Sequence, residues 1–105
     1  MTNLSQQFAR FSSNLSFQQL SSSQVQKMKG YLLDWIGCTY AGANELSSEI
    51  LLQTTHTLGG CPESTLIPDG GRSMCLLASL VNGAASHVME MDDLHRESVL
   101  HPAAA

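Results

Sequence analysis

Three of the chain's four histidines, His87, His95 and His101, fall in its last quarter, beside four of its nine acids, Glu90, Asp92, Asp93 and Glu97. A neutral imidazole within reach of a carboxylate is the usual equipment for moving a proton near neutral pH. Clusters of titratable groups also tend to push one another's pKa values apart, a common property of active sites. The same residue types serve two other purposes. They can be the solvated acids and imidazoles of a turn between helices. Alternatively His87, His95 and His101, with Asp92 or Asp93, offer acceptable ligand types for a metal, although their spacing fits no HExxH-like frame.

A cluster of this kind needs rigid supports, and the apolar periodicity supplies them. Leu4, Phe8, Phe11 and Leu15 form one face of a helix over about 3–12. A longer helix over 22–41, capped by Ser22 or Ser23, carries Val25, Met28, Leu32, Trp35 and Ile36 along one face. Gly30 and Gly37, seven residues apart, mark a side of it where a second helix can come close, and Gly42 is placed to end it in a left-handed conformation. Asn44 can cap a third helix with Leu46, Ile50, Leu51, Thr54 and Leu58 at helical spacing, stopped by Gly59-Gly60. His56 stands alone on that helix and reads as a surface or packing residue.

Ser64–Ile67 is a short extended run, closed by Pro68 and an Asp69-Gly70-Gly71 turn. Ser73 then caps a fourth helix over 73–91, with Leu76, Leu77, Leu80, Val81, Ala84, Ala85, Val88 and Met91 as its apolar positions. Its last turn puts His87 and Glu90 on one face. Asp92 and Asp93 follow at the end where the helix dipole disfavours negative charge, a local inconsistency of the kind found at functional sites. His101-Pro102 opens a further helix, with proline at its first position. That helix has only about one turn of chain, so the 105 residues are expected to be the N-terminal piece of a longer protein. The expected fold is all-α, about four helices with a short extended segment near 64–67.

Composition narrows the partners. A net charge of −4, with Lys and Arg totalling five and scattered, leaves no basic stripe for nucleic acid. No apolar run approaches the ~20 residues that span a bilayer, and the N-terminus lacks a secretory pattern. Three cysteines without CxxC spacing fit reduced thiols in the cytoplasm, with Cys38 and Cys75 as small core residues.

The series Asn82-Gly83, His87, Asp92-Asp93, His95 and His101-Pro102 resembles the N-terminal signature of the MmgE/PrpD family. That family includes 2-methylcitrate dehydratases, cis-aconitate decarboxylases and iminodisuccinate epimerases. The helix carrying LLDWIGCTYAGA at Leu32–Ala43 is similar to the family's early helix with its glycine-terminated turn. The resemblance implies that 1–105 is part of an all-helical N-terminal domain, lacking the smaller lid domain and later helices of full-length members. It implies a lyase or isomerase that needs no cofactor or metal, forms homodimers and acts on small di- or tricarboxylates. His101 matches the histidine of the family's HP motif. Glu90 stands where many members have aspartate, the first of a D-x-D-D run whose last pair matches Asp92 and Asp93.

On this resemblance His101, Asp93 and Glu90 are the catalytic candidates, and Asp92, His95, Arg96 and His87 the substrate-binding ones. Two departures bear on the substrate: Glu90 is a methylene longer than aspartate, and Leu94 replaces a frequent threonine. Dehydration, epimerisation and decarboxylation of polycarboxylates all develop negative charge beside a carboxylate, and need cations to hold it. This chain offers few, so the isolated chain is expected to be inactive. The alternatives are a helical interaction or dimerisation module, and a His/Asp metal-binding protein.

Overall fold

The computed structural model describes residues 3–92 and 94–101. Among them are four α-helices: α1 (Leu4–Asn14), α2 (Ser22–Ala41), α3 (Leu46–Leu58) and α4 (Cys75–His87). A short 3₁₀ turn at Phe17–Gln19 precedes α2, and two-residue strands β1 (Ser64–Thr65) and β2 (Arg72–Ser73) lie between α3 and α4. The protein is mostly helical, as its periodicity predicts. No helix among the described residues is long and apolar enough to cross a membrane.

Helix α2 has the expected limits, but its cap is Ser21 rather than Ser22 or Ser23. The Ser21 hydroxyl accepts from the Gln24 N–H at 3.2 Å, and the Gln24 side chain accepts from the Ser21 N–H at 2.8 Å. This capping box satisfies two otherwise orphaned donors. Helix α3 starts after Glu45, without a side-chain cap from Asn44, and ends at Gly59 with φ 67°.

Helix α4 is the hub, packing against α2 on one side and α3 on another. Its small residues make this possible: Ala78, Val81, Ala85 and Ser86 are buried. The core cluster joins Ala78 and Val81 to fully buried Leu66, with Leu51 and Leu52 of α3 packed against it. Gly42 belongs to the same interface. It is not left-handed (φ −84°, ψ 0°); instead a Cβ there would overlap the Ala85 carbonyl oxygen and lie 2.6 Å from Val88 Cγ1. The close helix approach expected at Gly30 and Gly37 is absent among the described residues, with nothing within 4 Å of a Cβ at either. Cys75, expected in the core, is exposed at the first position of α4, whereas Cys38 is buried.

The extended run pairs back on itself. Ser64 faces Ser73 and Thr65 faces Arg72 in an antiparallel register. Its turn is closed by Leu66 N–H to the Gly71 carbonyl and Gly70 N–H to the Leu66 carbonyl, both 2.8 Å. Gly70 takes φ 75°, which glycine adopts without steric cost. Ser73 lies in β2 rather than capping α4, whose N-cap position is Met74.

Candidate functional site

The fourth helix ends at His87, four residues before the apolar period suggests. The physical reason is charge. Extending it to Met91 would set Glu90 in the last turn and Asp92 just beyond, against the negative end of the dipole. Stopping at His87 leaves a basic-capable residue there instead. The Glu90 N–H closes on the His87 carbonyl at 2.8 Å, and Glu90 takes φ 49°, the left-handed region. A non-glycine residue held there costs roughly 1–2 kcal/mol. Glu90 therefore leaves the helix, is exposed, and does not share a helical face with His87.

This reversal drives Asp92 inward. Its side chain is 1% exposed and lies between two imidazoles. Nδ1 of His87 is 3.3 Å from Asp92 Oδ1 and 3.4 Å from Oδ2. Nδ1 of His101 is 3.0 Å from Asp92 Oδ2. The two rings meet edge to face, with centroids 4.9 Å apart and planes at 76°. A desolvated carboxylate needs such donors, because burying it unpaired is costly.

A tight turn returns the chain to this point. His95 and Leu100 bridge through their backbones, His95 N–H to the Leu100 carbonyl at 2.8 Å and the reverse bond at 3.4 Å. Val99 adopts φ 50° within the turn, an uncommon conformation for a β-branched residue. His101 follows directly and so falls beside Asp92. The turn itself faces solvent: His95 pairs with Ser98 Oγ at 2.8 Å and approaches Glu97 at 3.8 Å, and Arg96 is exposed.

Of the residues singled out in the sequence, His87, Asp92 and His101 thus come together. Glu90, His95 and Arg96 stand outside that cluster, on the exposed chain around it. Asp93 and the proline of the HP motif, Pro102, lie outside the described residues. Two hydrogen-bonding roles escaped the sequence reading, which has Asn82 only in the family resemblance and His56 only as a surface or packing residue. Asn82 ties α4 to the hairpin, and His56 Nε2 sits 2.7 Å from Asp69 Oδ2 in an exposed pair. The only sequence signal for the second was an isolated histidine, which points nowhere by itself.

Chemically, a carboxylate shared by two imidazoles can order the rings and hold a positive charge on either. The same atoms could also take a cation: one ligand atom from each of His87, Asp92 and His101 lies within 4.8 Å of the others. Ring and carboxylate atoms lie 3.0–3.4 Å apart, a spacing that direct pairing and shared ligation of a cation both allow.

Comparison with known proteins bears on the same residues. Residues 6–105 match the family model for the MmgE/PrpD N-terminal domain. A cis-aconitate decarboxylase from Aspergillus terreus is 29% identical over 97 residues, which cover 92% of this chain and 20% of that protein. A cis-aconitate decarboxylase of A. terreus strain NIH 2624 / FGSC A1156 matches to the same extent. The chain spans about a fifth of the length of these curated relatives. No solved structure matches the chain at a significant level.

Proposed function

The chain belongs to the MmgE/PrpD family, and from that premise we propose that it forms part of the N-terminal helical domain of a lyase or isomerase acting on a small di- or tricarboxylate. Cis-aconitate is the first candidate substrate, because the similar Aspergillus proteins are cis-aconitate decarboxylases. Substrates of the 2-methylcitrate and iminodisuccinate type come next. The observation that carries the reading is the half-buried His101 ring, set against a buried carboxylate in a chain of this family.

His101 is the proton-transfer group in this proposal. In a decarboxylation the bond to the departing carboxylate breaks, carbon dioxide leaves, and the electron pair spreads over the remaining unsaturated acid. A protonated imidazole then supplies the proton that the resulting carbanion takes up. In a dehydration or epimerisation the neutral ring instead removes a proton from carbon beside a carboxylate. Glu90 and Asp93 are proposed as the second acid–base group, with His95, Arg96 and His87 at the rim facing substrate carboxylates.

A net charge of −4 cannot by itself hold a di- or trianion. The remaining cations are proposed to come from parts of the family polypeptide that this chain does not span, so the 105 residues alone are inactive. Work without a resident metal or cofactor, assembly as a homodimer and a cytoplasmic location belong to the same proposal.

The test is His101→Gln in the complete enzyme, with cis-aconitate as substrate and product and carbon dioxide measured. Turnover is expected to fall by about 10²–10⁴-fold while substrate binding is largely retained. Unchanged turnover overturns the assignment. One observation favours a second reading, a helical interaction module: Leu4, Phe8 and Phe11 on α1 are all exposed. In that case His101→Gln leaves the protein's behaviour unchanged, and substitutions on α1 abolish partner binding.

A further inference from the structure

We propose that Asp92 is a positioning residue, a buried carboxylate that engages Nδ1 of His101 and Nδ1 of His87 together and so leaves Nε2 of His101 to exchange a proton with substrate. This rests on the reading of His101 as the proton-transfer group, and gives Asp92 a role other than contact with substrate.

Burial separates the two roles. A side chain 1% exposed has no surface to offer a polycarboxylate, whereas His101, at 32%, does. The exposed part of the His101 ring lies away from Nδ1, because that atom is buried. Nδ1 makes no other hydrogen bond among the described residues, so Asp92 is the acceptor within its reach. In this conformation Oδ2 sits at 3.0 Å but outside hydrogen-bond geometry, a close contact that becomes a hydrogen bond once the ring N–H turns toward the carboxylate.

His87 completes the device. Its Nδ1 spans both carboxylate oxygens at 3.3 and 3.4 Å, and its backbone belongs to the last turn of α4. The carboxylate is thereby anchored to the most buried helix of the fold, while the ring it orients sits at the end of a surface turn. The rings' edge-to-face contact keeps them from sliding past one another.

The consequence is a choice of tautomer. Neutral histidine in water favours the proton on Nε2, which would leave the lone pair on the buried nitrogen, facing a carboxylate. A carboxylate at Nδ1 reverses that choice, because the nitrogen that carries the proton is set by the hydrogen bond it makes. With Nδ1 protonated, the Nε2 lone pair is available as a base; once Nε2 is protonated too, Asp92 balances the charge. An aspartate that holds an imidazole in this way acts without being protonated itself.

The experiment is nitrogen NMR of the full chain labelled with ¹⁵N-histidine, under conditions where the rings are neutral. It compares the parent with Asp92→Asn, and uses solvent-exposed His95 as the internal control. The expected result is an Nδ1–H signature for His101 in the parent that shifts toward Nε2–H in the variant, with His95 and the amide spectrum unchanged. Should Asp92→Asn disturb the fold, Asp92→Glu serves in its place, and the parent's own tautomer is already decisive. An Nε2–H parent ring overturns the proposal. So do His101 signals that move on addition of EDTA, which would assign the three residues to a bound metal.

A parallel assay in the complete enzyme separates this proposal from the one beneath it. Asp92→Asn is expected to lower kcat by about 10–100-fold, with KM changing far less. If His101→Gln abolishes turnover while Asp92→Asn leaves both kcat and tautomer alone, Asp92 has no positioning role and the assignment of His101 stands. If the tautomer shifts as expected but His101→Gln remains active, the proton-transfer assignment fails instead.

Discussion

Asn82 of α4 takes the place of a missing strand for Ile67. Its side-chain oxygen accepts from the Ile67 N–H at 2.9 Å, and its amide donates to the Thr65 carbonyl at 3.0 Å. The ladder is only two residues long, and this amide gives partners to two further backbone groups of the hairpin. It also holds Leu66, the residue between, in the core. Replacing Asn82 with leucine keeps the branched shape, in a somewhat larger side chain, but strands both backbone groups. The expected loss is about 1–3 kcal/mol in urea unfolding. Asn82→Asp, which can still accept from Ile67 but cannot donate to Thr65, should fall between parent and Asn82→Leu. Equal stabilities for all three would show that the hairpin stands without this link.

The two glycines inside α2 and the one at its C-cap should respond to alanine with opposite signs. At Gly42 a methyl group meets the Ala85 carbonyl and Val88, so Gly42→Ala is expected to cost about 1–3 kcal/mol by forcing α2 and α4 apart. At Gly30 and Gly37 a methyl group meets nothing within 4 Å, and each substitution should stabilise by about 0.5–1 kcal/mol through helix propensity. Thermal melts of the three variants decide it. Destabilisation at Gly30 or Gly37 would mean that a further segment or a second chain packs on that face.

Helix limits were legible where one pattern ruled and not where two competed. The limits of α2 follow from its long apolar repeat and from Gly42. Yet the sequence could not select Ser21 as the cap, because Ser23 has a glutamine, Gln26, at the same spacing that Gln24 has from Ser21. In α4 the repeat runs on through Val88 and Met91, but pairing of Asp92 with two imidazoles wins over the extra turn. The site was legible as a set of residue types and opaque as a geometry. Asp92 and His101 are nine residues apart, and their contact depends on a turn closed between His95 and Leu100 that no local pattern announces. The apolar face of α2 is covered only in part: Trp35 and Ile36 are half-buried, while Leu32 and Leu33 of the same helix are exposed.

Asp69 should give the fold a pH dependence at acid pH. Its partial burial favours the neutral carboxyl, but the Gly71 N–H at 2.8 Å and the His56 imidazole at 2.7 Å outweigh this and hold its pKa below the ordinary 3.8. A folded-state pKa below the unfolded one adds stability that is present above the unfolded value and disappears as pH falls through the folded one. Asp69→Asn should therefore be less stable than the parent at neutral pH, with the gap closing once pH drops well below 3.8. Melting curves of both proteins across that range test it. A gap that persists undiminished in acid would place the contribution of Asp69 in turn geometry rather than in its charge.

The apolar face of α1 is left uncovered among the described residues. Leu4, Phe8 and Phe11 are each about two-thirds exposed, and α1 contributes no buried residue. Phe17, Val25, Met28 and Leu32 line a second apolar groove, between the 3₁₀ turn and α2. Exposed aromatic surface of this kind draws hydrophobic dyes and promotes self-association. The double substitution Phe8→Glu, Phe11→Glu is expected to reduce dye fluorescence and shift sedimentation toward the monomer. Because α4 packs against α2 and α3 without α1, the melting transition of those three helices should move little, within about 0.5 kcal/mol, as for surface positions generally. If the transition collapses instead, α1 is docked on the helical core in solution, and its phenylalanines are structural rather than a surface for a partner.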